Sequence, residues 1–336
     1  MKKGYAHFLV IIFTLATITF ACKKKSNLDK YKDLPKELAE LCLKIDQSPK
    51  NADLYEKRSD YYIKKRQLDS AFSDAFSALK LDSSNSKRYR AVSDIYFMKG
   101  DFEASEDMLE RAYAKNPNDV EAIMKLAELN LYYKRYKELN DFIDKALTID
   151  QRNPKAHLLK GFGLIEEKDT VGAVREYQLA VDQDPNYYEA YIQLGLIFHH
   201  KHNKLAIDYY NNALNVRPNS IEAMYNIAMF YQDTKDYNRA ISQYQIILKS
   251  NPRNKLANHN IGWIEMEIKK NYSEAIKYFT LSIQSDSTYV DAIYNRGLAN
   301  ERLKNYQEAD KDFKKALQFD GTYQLAIDGV ARMKKH

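Results

Sequence analysis

A period of 34 residues runs through most of this chain of 336 residues. It is visible in a series of mostly small residues with successive spacings of 34, 34, 34, 33, 34, 35 and 34: Ala78, Ala112, Ala146, Ala180, Ala213, Ile247, Ser282 and Ala316. A second series has the same spacings: Ala71, Ser105, Leu139, Ala173, Ala206, Ala240, Ala275 and Ala309. Because both series share the period and its two single-residue slips, we interpret the chain as an array of eight equivalent units.

Each unit predicts two amphipathic helices. Apolar residues recur at spacings of three and four in two stretches of about a dozen residues, which is the pattern of a helix with one buried face. Glycine provides only 10 residues and proline 7, which argues against a β-rich fold and against phosphate-binding glycine loops, since tight turns need these residues. The units occupy residues 52–85, 86–119, 120–153, 154–187, 188–220, 221–254, 255–289 and 290–323.

The order of residues within a unit carries a family resemblance. The fifth unit contains in sequence Tyr191, Leu194, Gly195, Phe198, Ala206, Tyr210 and Pro218. This order resembles the tetratricopeptide repeat, in which W-x₂-L-G-x₂-Y is followed by A-x₃-F and a final proline. The resemblance covers residues 52–323 and implies an all-α, right-handed α-α superhelix of about eight helix pairs. Residues 35–51 and 324–336 are then interpreted as helices that cap the two ends of the array.

The first 21 residues have the layout of a secretory signal. Lys2 and Lys3 precede an apolar run at 8–20, which is too short to span a bilayer, since spanning takes about 20 helical residues. Cys22 directly follows Ala21, and this end resembles a bacterial lipoprotein signal. That resemblance implies a lipidated Cys22, a basic tether at 22–34, and a place in the bacterial cell envelope, on the outer membrane facing the periplasm. A simple signal peptide with an incidental cysteine, or an uncleaved anchor, remains open.

The distribution of charge argues against nucleic-acid binding. The formal net charge is +6, but residues 22–51 alone hold eight lysines against five acidic residues. Most of the excess therefore lies near the N-terminus, and the repeats as a whole are nearly neutral. A nucleic-acid-binding domain would concentrate basic residues on its folded part, so we expect no nucleic-acid partner.

We find no sequence motif of an enzyme or of a cofactor site. Gly161 and Gly163 lack the third glycine and the preceding strand of a dinucleotide-binding fingerprint. His199, His200 and His202 could present imidazoles to a metal, but no acidic or cysteine ligand is close in sequence. A polar helix end is the simpler interpretation of this cluster. We expect a protein that is not an enzyme and that holds no metal or cofactor.

In tetratricopeptide arrays the first helix of each unit lines a concave groove, and ligands usually lie there. Carried over by this resemblance, the groove residues are Phe97, Met98, Met124, Leu131, Tyr132, Leu158, Phe162, Ile165, Ile192, Leu196, His199, Tyr225, Met229, His259, Trp263 and Met266. Aromatic residues and methionine are frequent in protein contacts, although some of these side chains could equally belong to the core between units. The basic and asparagine residues that grip a terminal carboxylate in one subfamily are absent, since their places hold Arg90, Asp94, Tyr225 and Met229.

These features favour a non-enzymatic scaffold for protein–protein interaction, tethered to the bacterial cell envelope. Its apolar groove would hold a segment of a partner protein. An accessory subunit of an envelope secretion or assembly machine is a second interpretation. A surface lipoprotein that captures carbohydrate or nutrients is a third, although the single-residue slips leave no room for an inserted sugar site.

Overall fold

The computed structural model describes residues 30–336. This part of the chain contains 18 α-helices and no β-strand, so the predicted all-α fold is confirmed. The helices are α1 (Lys36–Gln47), α2 (Ala52–Lys64), α3 (Leu68–Leu81), α4 (Ser86–Met98), α5 (Phe102–Lys115), α6 (Val120–Tyr132), α7 (Tyr136–Ile149), α8 (Pro154–Glu166), α9 (Thr170–Gln183), α10 (Tyr188–His200), α11 (Leu205–Val216), α12 (Ile221–Asp233), α13 (Tyr237–Ser250), α14 (Lys255–Trp263), α15 (Tyr272–Ser285), α16 (Val290–Arg302), α17 (Tyr306–Phe319) and α18 (Gln324–Met333).

The chain forms two compact parts that each contain several repeats. We call the part that ends at Ala122 the first unit and the part that spans Ile123–His336 the second unit. In the first, α2 packs on α3 and α4 on α5. In the second, α8 packs on α9, α10 on α11, α12 on α13, α14 on α15 and α16 on α17. The helices of a pair are joined by turns of three or four residues, so they run antiparallel. We call the first helix of a pair the A helix, the second the B helix and their connection the A–B turn.

Each B helix buries one stripe of the repeating series. Ala71 and Ala78 in α3 are seven residues apart, which places them on the same helix face. Every member of both series is buried, with an exposed fraction of at most 1%. The period therefore reports the positions at which B helices pack most closely, because a larger side chain there would force neighbouring helices apart.

The A helices contribute glycines at the crossing with their B helices. A Cβ atom placed on Gly161 would lie 2.3 Å from the Tyr177 ring. The same relationship joins Gly262 to Phe279, where the nearest ring atom would be 2.8 Å away. The missing side chain thus makes room for a large, fully buried aromatic ring on the partner helix.

Both slips in the period have a structural cause. In the 35-residue unit, α14 continues into a π-helical turn, Ile264–Ile268. There the Lys269 N–H donates to the Ile264 carbonyl across five residues, which accommodates one extra residue within a helix. In the 33-residue repeat, α11 has 12 residues, whereas the other B helices have 14. The A–B turn of this repeat has one residue more than the others.

The end helices pack on their neighbours along the chain. Leu38, Cys42 and Ile45 are the buried residues of α1, which lies on α2. In α18, Gly329 and Met333 are buried against α17, whereas Leu325 is half exposed. None of the described helices is long and apolar enough to cross a membrane. The predicted signal at 1–21, the lipidation site Cys22 and the first part of the tether lie outside the described residues.

Candidate partner-binding site

The residues predicted to line the groove divide into three groups by exposure. Four are well exposed, namely Phe97, Met98, Tyr132 and Ile165. Eight are half-buried, namely Leu131, Phe162, Leu196, His199, Tyr225, Met229, His259 and Trp263. The remaining four are buried, namely Met124, Leu158, Ile192 and Met266. The first two groups offer surface to a partner, whereas the four buried side chains pack within the protein.

The buried members contribute to the core between successive helix pairs. Leu158 packs in one cluster with Tyr177 and Leu194. Ile192 packs with Tyr210 and Ile227 in the next cluster along the chain. Side chains in these places bring neighbouring pairs together, so a partner could not contact them without separating helices.

In the first unit, the end of α4 exposes two adjacent apolar side chains. Phe97 is 54% exposed and Met98 is 50% exposed. The Phe97 and Phe102 rings meet edge to face at 5.1 Å between centroids, so Phe97 is supported on one side while about half of its surface stays exposed. A supported aromatic ring loses little side-chain freedom when it binds a partner, which suits it to contact.

In the second unit, His199 is held by contacts on both ring nitrogens. Its Nε2 lies 2.9 Å from the Asp233 carboxylate on α12. Its Nδ1 lies 3.4 Å from the Tyr210 hydroxyl, and the imidazole meets the Phe230 ring edge-on at 5.4 Å. The neighbouring His200 has no part in these bonds. His199 therefore joins α10 to α12, and this structural role accounts for its place in the histidine cluster.

A hydrogen-bond network crosses the same face between α12 and α14. The Asn260 amide donates to the hydroxyls of Tyr225 at 3.0 Å and Tyr244 at 2.8 Å. The Tyr244 hydroxyl donates in turn to the Gln232 side-chain carbonyl at 3.0 Å and lies 3.0 Å from the Met229 sulfur. Burial raises the pKa of Tyr225 and Tyr244, so both phenols stay protonated and can serve as donors.

His259 extends this network to α16. Its Nε2 accepts from the Asn295 amide at 3.0 Å, and its Nδ1 lies 3.3 Å from the Asn260 side-chain oxygen. The imidazole packs between the rings of Phe279 and Tyr289. Burial lowers the pKa of His259, so the ring is neutral near pH 7, with the proton on Nδ1 as the bonding pattern requires.

Sequence reasoning missed the amide side chains of this network. Asn260 and Asn295 are 35 residues apart, which is the length of the repeat at that point. A search for polar residues that keep the period would have found them. They were overlooked because the period was read from small and apolar residues, which mark the core rather than the surface between A helices.

The described residues contain no group of three or more histidine, cysteine and acidic side chains that could hold a metal ion. The site is instead built of apolar side chains, phenols and amides on consecutive A helices. Such groups make van der Waals contacts and neutral hydrogen bonds. This chemistry suits contact with a polypeptide.

Comparison with known proteins shows which family of repeats this chain matches. A family described as the tetratricopeptide repeat protein 21 N-terminal ARM repeat matches residues 131–320. Human tetratricopeptide repeat protein 21B is 26% identical over 168 residues, which cover 50% of this chain and 13% of that protein. The bovine BBSome complex member BBS4 is 24% identical over 253 residues, or 72% of this chain and 48% of that protein. The chain thus spans less than half the length of these relatives.

A solved structure supports the fold. The C-terminal part of a TPR repeat-containing protein from Cytophaga hutchinsonii superposes with a TM-score of 0.59 at 20% identity. The match covers 71% of this chain and 98% of the other. At this level of identity the likeness concerns the arrangement of helices and not the partner that either protein binds.

Proposed function

Because this chain belongs to the family of the tetratricopeptide repeat protein 21 N-terminal ARM repeat, we propose that it is a non-enzymatic scaffold that binds a protein segment on its A helices. Repeat proteins of this type mediate protein–protein interactions and are typically not enzymes. The finer proposal concerns the surface used, which is the exposed apolar part of the A helices, and the place of the protein in the cell.

The exposure of large apolar side chains on the A helices carries the proposal. In the second unit Tyr132 is 64% exposed and Ile165 is 36% exposed, each close to the end of its A helix. Exposed apolar surface is unfavourable in water, and a group of such residues marks a contact site more often than a free surface. The half-buried Phe162 and Trp263 extend this surface along α8 and α14.

Substitutions at exposed positions test the binding surface with little risk to folding. Tyr132→Glu with Ile165→Glu would place two charges on the A-helix face. Val171→Glu with Leu205→Glu is the matched control, since both residues are exposed on B helices of the same unit. We expect affinity capture from a cell-envelope extract to recover fewer partners with the first variant and the same partners with the control. Identical partners with both variants and the unchanged protein would overturn the use of this face.

We also propose that the protein is tethered to the bacterial envelope by acylation of Cys22. The support is the order of Lys2, Lys3, the apolar run at 8–20 and Cys22. Labelling of cells with radioactive palmitate should mark the full chain, should fail with Cys22→Ser and should persist with Cys42→Ser. Cys42 is the buried thiol of α1 and serves as the control. Label that is independent of Cys22 would exclude this tether, and recovery in the inner-membrane fraction would exclude the outer membrane.

A further inference from the structure

Every A–B turn of the second unit places one basic residue in the left-handed backbone region. These residues are Lys134, Lys168, His202, Lys235, Lys270 and Lys304, with φ between 49° and 67°. All six are exposed. In the first unit the corresponding residues are Arg66 and Gly100, with φ of 57° and 80°. Seven of these eight turn positions therefore carry a basic side chain.

Turn geometry does not account for this choice. The left-handed region brings the Cβ atom of an ordinary residue close to its own backbone, so glycine is the residue that fits it without cost. Gly100 shows that glycine is compatible with the same turn in this protein. A lysine in this conformation weakens the turn relative to glycine, so retaining it in successive turns points to a use for the side chain.

Helix dipoles do not account for the choice either. A base just beyond an A helix is favoured by the negative end of that helix. The same base lies two residues before a B helix, as Lys168 does before α9, and is disfavoured by its positive end. Among the described residues, Lys134, Lys168, Lys235 and Lys304 form no ion pair, while Lys270 lies 3.5 Å from Glu267.

The turns at the two edges of the second unit differ in charge. Its six A–B turns contain nine lysines and arginines against three acidic residues: 133–135, 167–169, 201–204, 234–236, 269–271 and 303–305. The turns that follow its B helices contain three against four: 150–153, 184–187, 217–220, 251–254, 286–289 and 320–323. Two of the acidic residues in the A–B turns, Asp169 and Asp236, accept a backbone N–H of the following helix. Carboxylates at the ends of A helices are also engaged, Asp233 by His199 and Glu301 by Arg332.

In the first unit, the residues that precede α1 lie next to a basic A–B turn. Leu34 and Pro35, which lead into α1, lie across a cleft of about 890 Å³ from the A–B turn that contains Lys65 and Arg66. Leu34 and Pro35 therefore lie beside an A–B turn. Cys22 precedes Leu34 by 12 residues in the sequence, so a lipid at Cys22 would keep that turn within reach of the bilayer.

We propose that the A–B turns of the second unit bind an anionic lipid surface, so that each repeat adds a lysine contact to the tether. This inference rests on the proposed attachment at Cys22 for the presence of a membrane. A lysine next to an anionic leaflet strengthens binding by about fivefold, and it does so without a specific pocket. The A-helix face is a different surface and stays available to a protein partner.

The test uses the full chain with Cys22→Ser, which cannot be acylated, and vesicles of phosphatidylcholine with or without phosphatidylglycerol. The turn variant combines Lys134→Gly, Lys168→Gly, Lys235→Gly and Lys304→Gly, which remove charge and suit the backbone. The control variant changes four exposed B-helix lysines to glutamine: Lys145, Lys249, Lys277 and Lys314. We expect the preference for phosphatidylglycerol vesicles in cosedimentation to fall at least tenfold in the turn variant and clearly less in the control. Thermal unfolding of the turn variant should be unchanged or higher.

Three outcomes would overturn the proposal. The first is that the unacylated chain shows no preference for phosphatidylglycerol vesicles. The second is that the turn variant and the control variant lose this preference equally. The third is that polyglutamate binds the chain in a way that depends on the turn lysines while vesicles do not bind. The last result would indicate an acidic protein in place of lipid. Palmitate labelling at Cys22 does not depend on the turns, so failure of the tether and failure of the turn contact are distinguishable.

Discussion

Tyr177 and Tyr244 occupy equivalent positions in their repeats, yet of these two hydroxyls only that of Tyr244 has hydrogen-bond partners. Both side chains are fully buried. The Tyr244 hydroxyl is bonded to Gln232 and Asn260, whereas the Tyr177 hydroxyl is buried without a partner among the described residues. The corresponding B-helix positions in the last two repeats hold Phe279 and Phe313, which shows that a ring without a hydroxyl fits there.

Removing these two hydroxyls should have opposite effects on stability. Tyr244→Phe leaves the amide of Asn260 and the carbonyl of Gln232 short of a partner, so we expect the free energy of unfolding to fall by about 1–3 kcal/mol. Tyr177→Phe removes a hydroxyl that gains nothing from burial, so its stability should be equal or higher. Urea unfolding of both variants provides the measurement. A loss in Tyr177→Phe as large as that in Tyr244→Phe would show that the ring positions differ from those described.

A methyl group on Gly195 should destabilise the crossing of α10 and α11. The Cβ atom of Gly195→Ala would lie 2.3 Å from the Tyr210 ring, well inside van der Waals contact. We expect a loss of about 1–3 kcal/mol from overpacking. Thermal and urea unfolding would measure it.

Gly321→Ala is the control for this substitution. The nearest atom to its Cβ would be a backbone oxygen 3.8 Å away, which is an ordinary contact. Its stability should therefore stay close to that of the unchanged protein. If Gly195→Ala is as stable as Gly321→Ala, the close approach of α10 and α11 is wrong.

The repeat and its buried stripes could be predicted from the sequence because one packing constraint recurs. Ala206 and Ala240 keep the period since each B helix meets its neighbours in the same way. The extra residue of the 35-residue unit could be counted, but its place could not be predicted. An insertion anywhere between Ile247 and Ala275 lengthens both spacings equally, and only the backbone shows the π-helical turn at Ile264–Ile268.

The surface of the A helices was harder to predict for a physical reason. Leu158 and Phe162 are both apolar and one turn apart, yet Leu158 is buried and Phe162 is half-buried. The difference depends on how closely the next A helix approaches, which the period does not specify. Asn260 was missed because its function depends on Tyr225 and Tyr244, which the chain brings close only after folding.

Acidification should weaken the fold partly through His259. Burial lowers the pKa of this imidazole in the folded chain, with smaller opposing effects from its hydrogen bond to Asn260 and from the charge of Asp291. The unfolded chain binds the proton more readily than the folded chain. The contribution of the neutral His259 ring to the free energy of unfolding is therefore complete above about pH 6.5, and it is lost as the pH falls toward the lower pKa of the folded chain. We expect the stability of His259→Gln to depend less on pH between neutrality and mild acid. Titration of the His259 ring protons by NMR should give a pKa below the usual range, and a pKa above it would contradict this account.

Lys255 should control the ionisation of Asp286. The hydrogen bond from Lys255, at 2.7 Å, together with donors from the Thr288 side chain and backbone, lowers the pKa of Asp286 to about 2. Asp320 offers a natural comparison, because Thr322 supplies it with the same two threonine donors and no lysine takes part. We expect Lys255→Met to raise the pKa of Asp286 toward that of Asp320, as measured by carbon NMR of the carboxyl groups. Because the pKa of Asp286 is lowered in the folded chain, its ionised carboxylate contributes stability above the ordinary carboxyl pKa, and this stability is lost as the pH falls toward 2. An unchanged pKa of Asp286 in Lys255→Met would assign the shift to Thr288 alone.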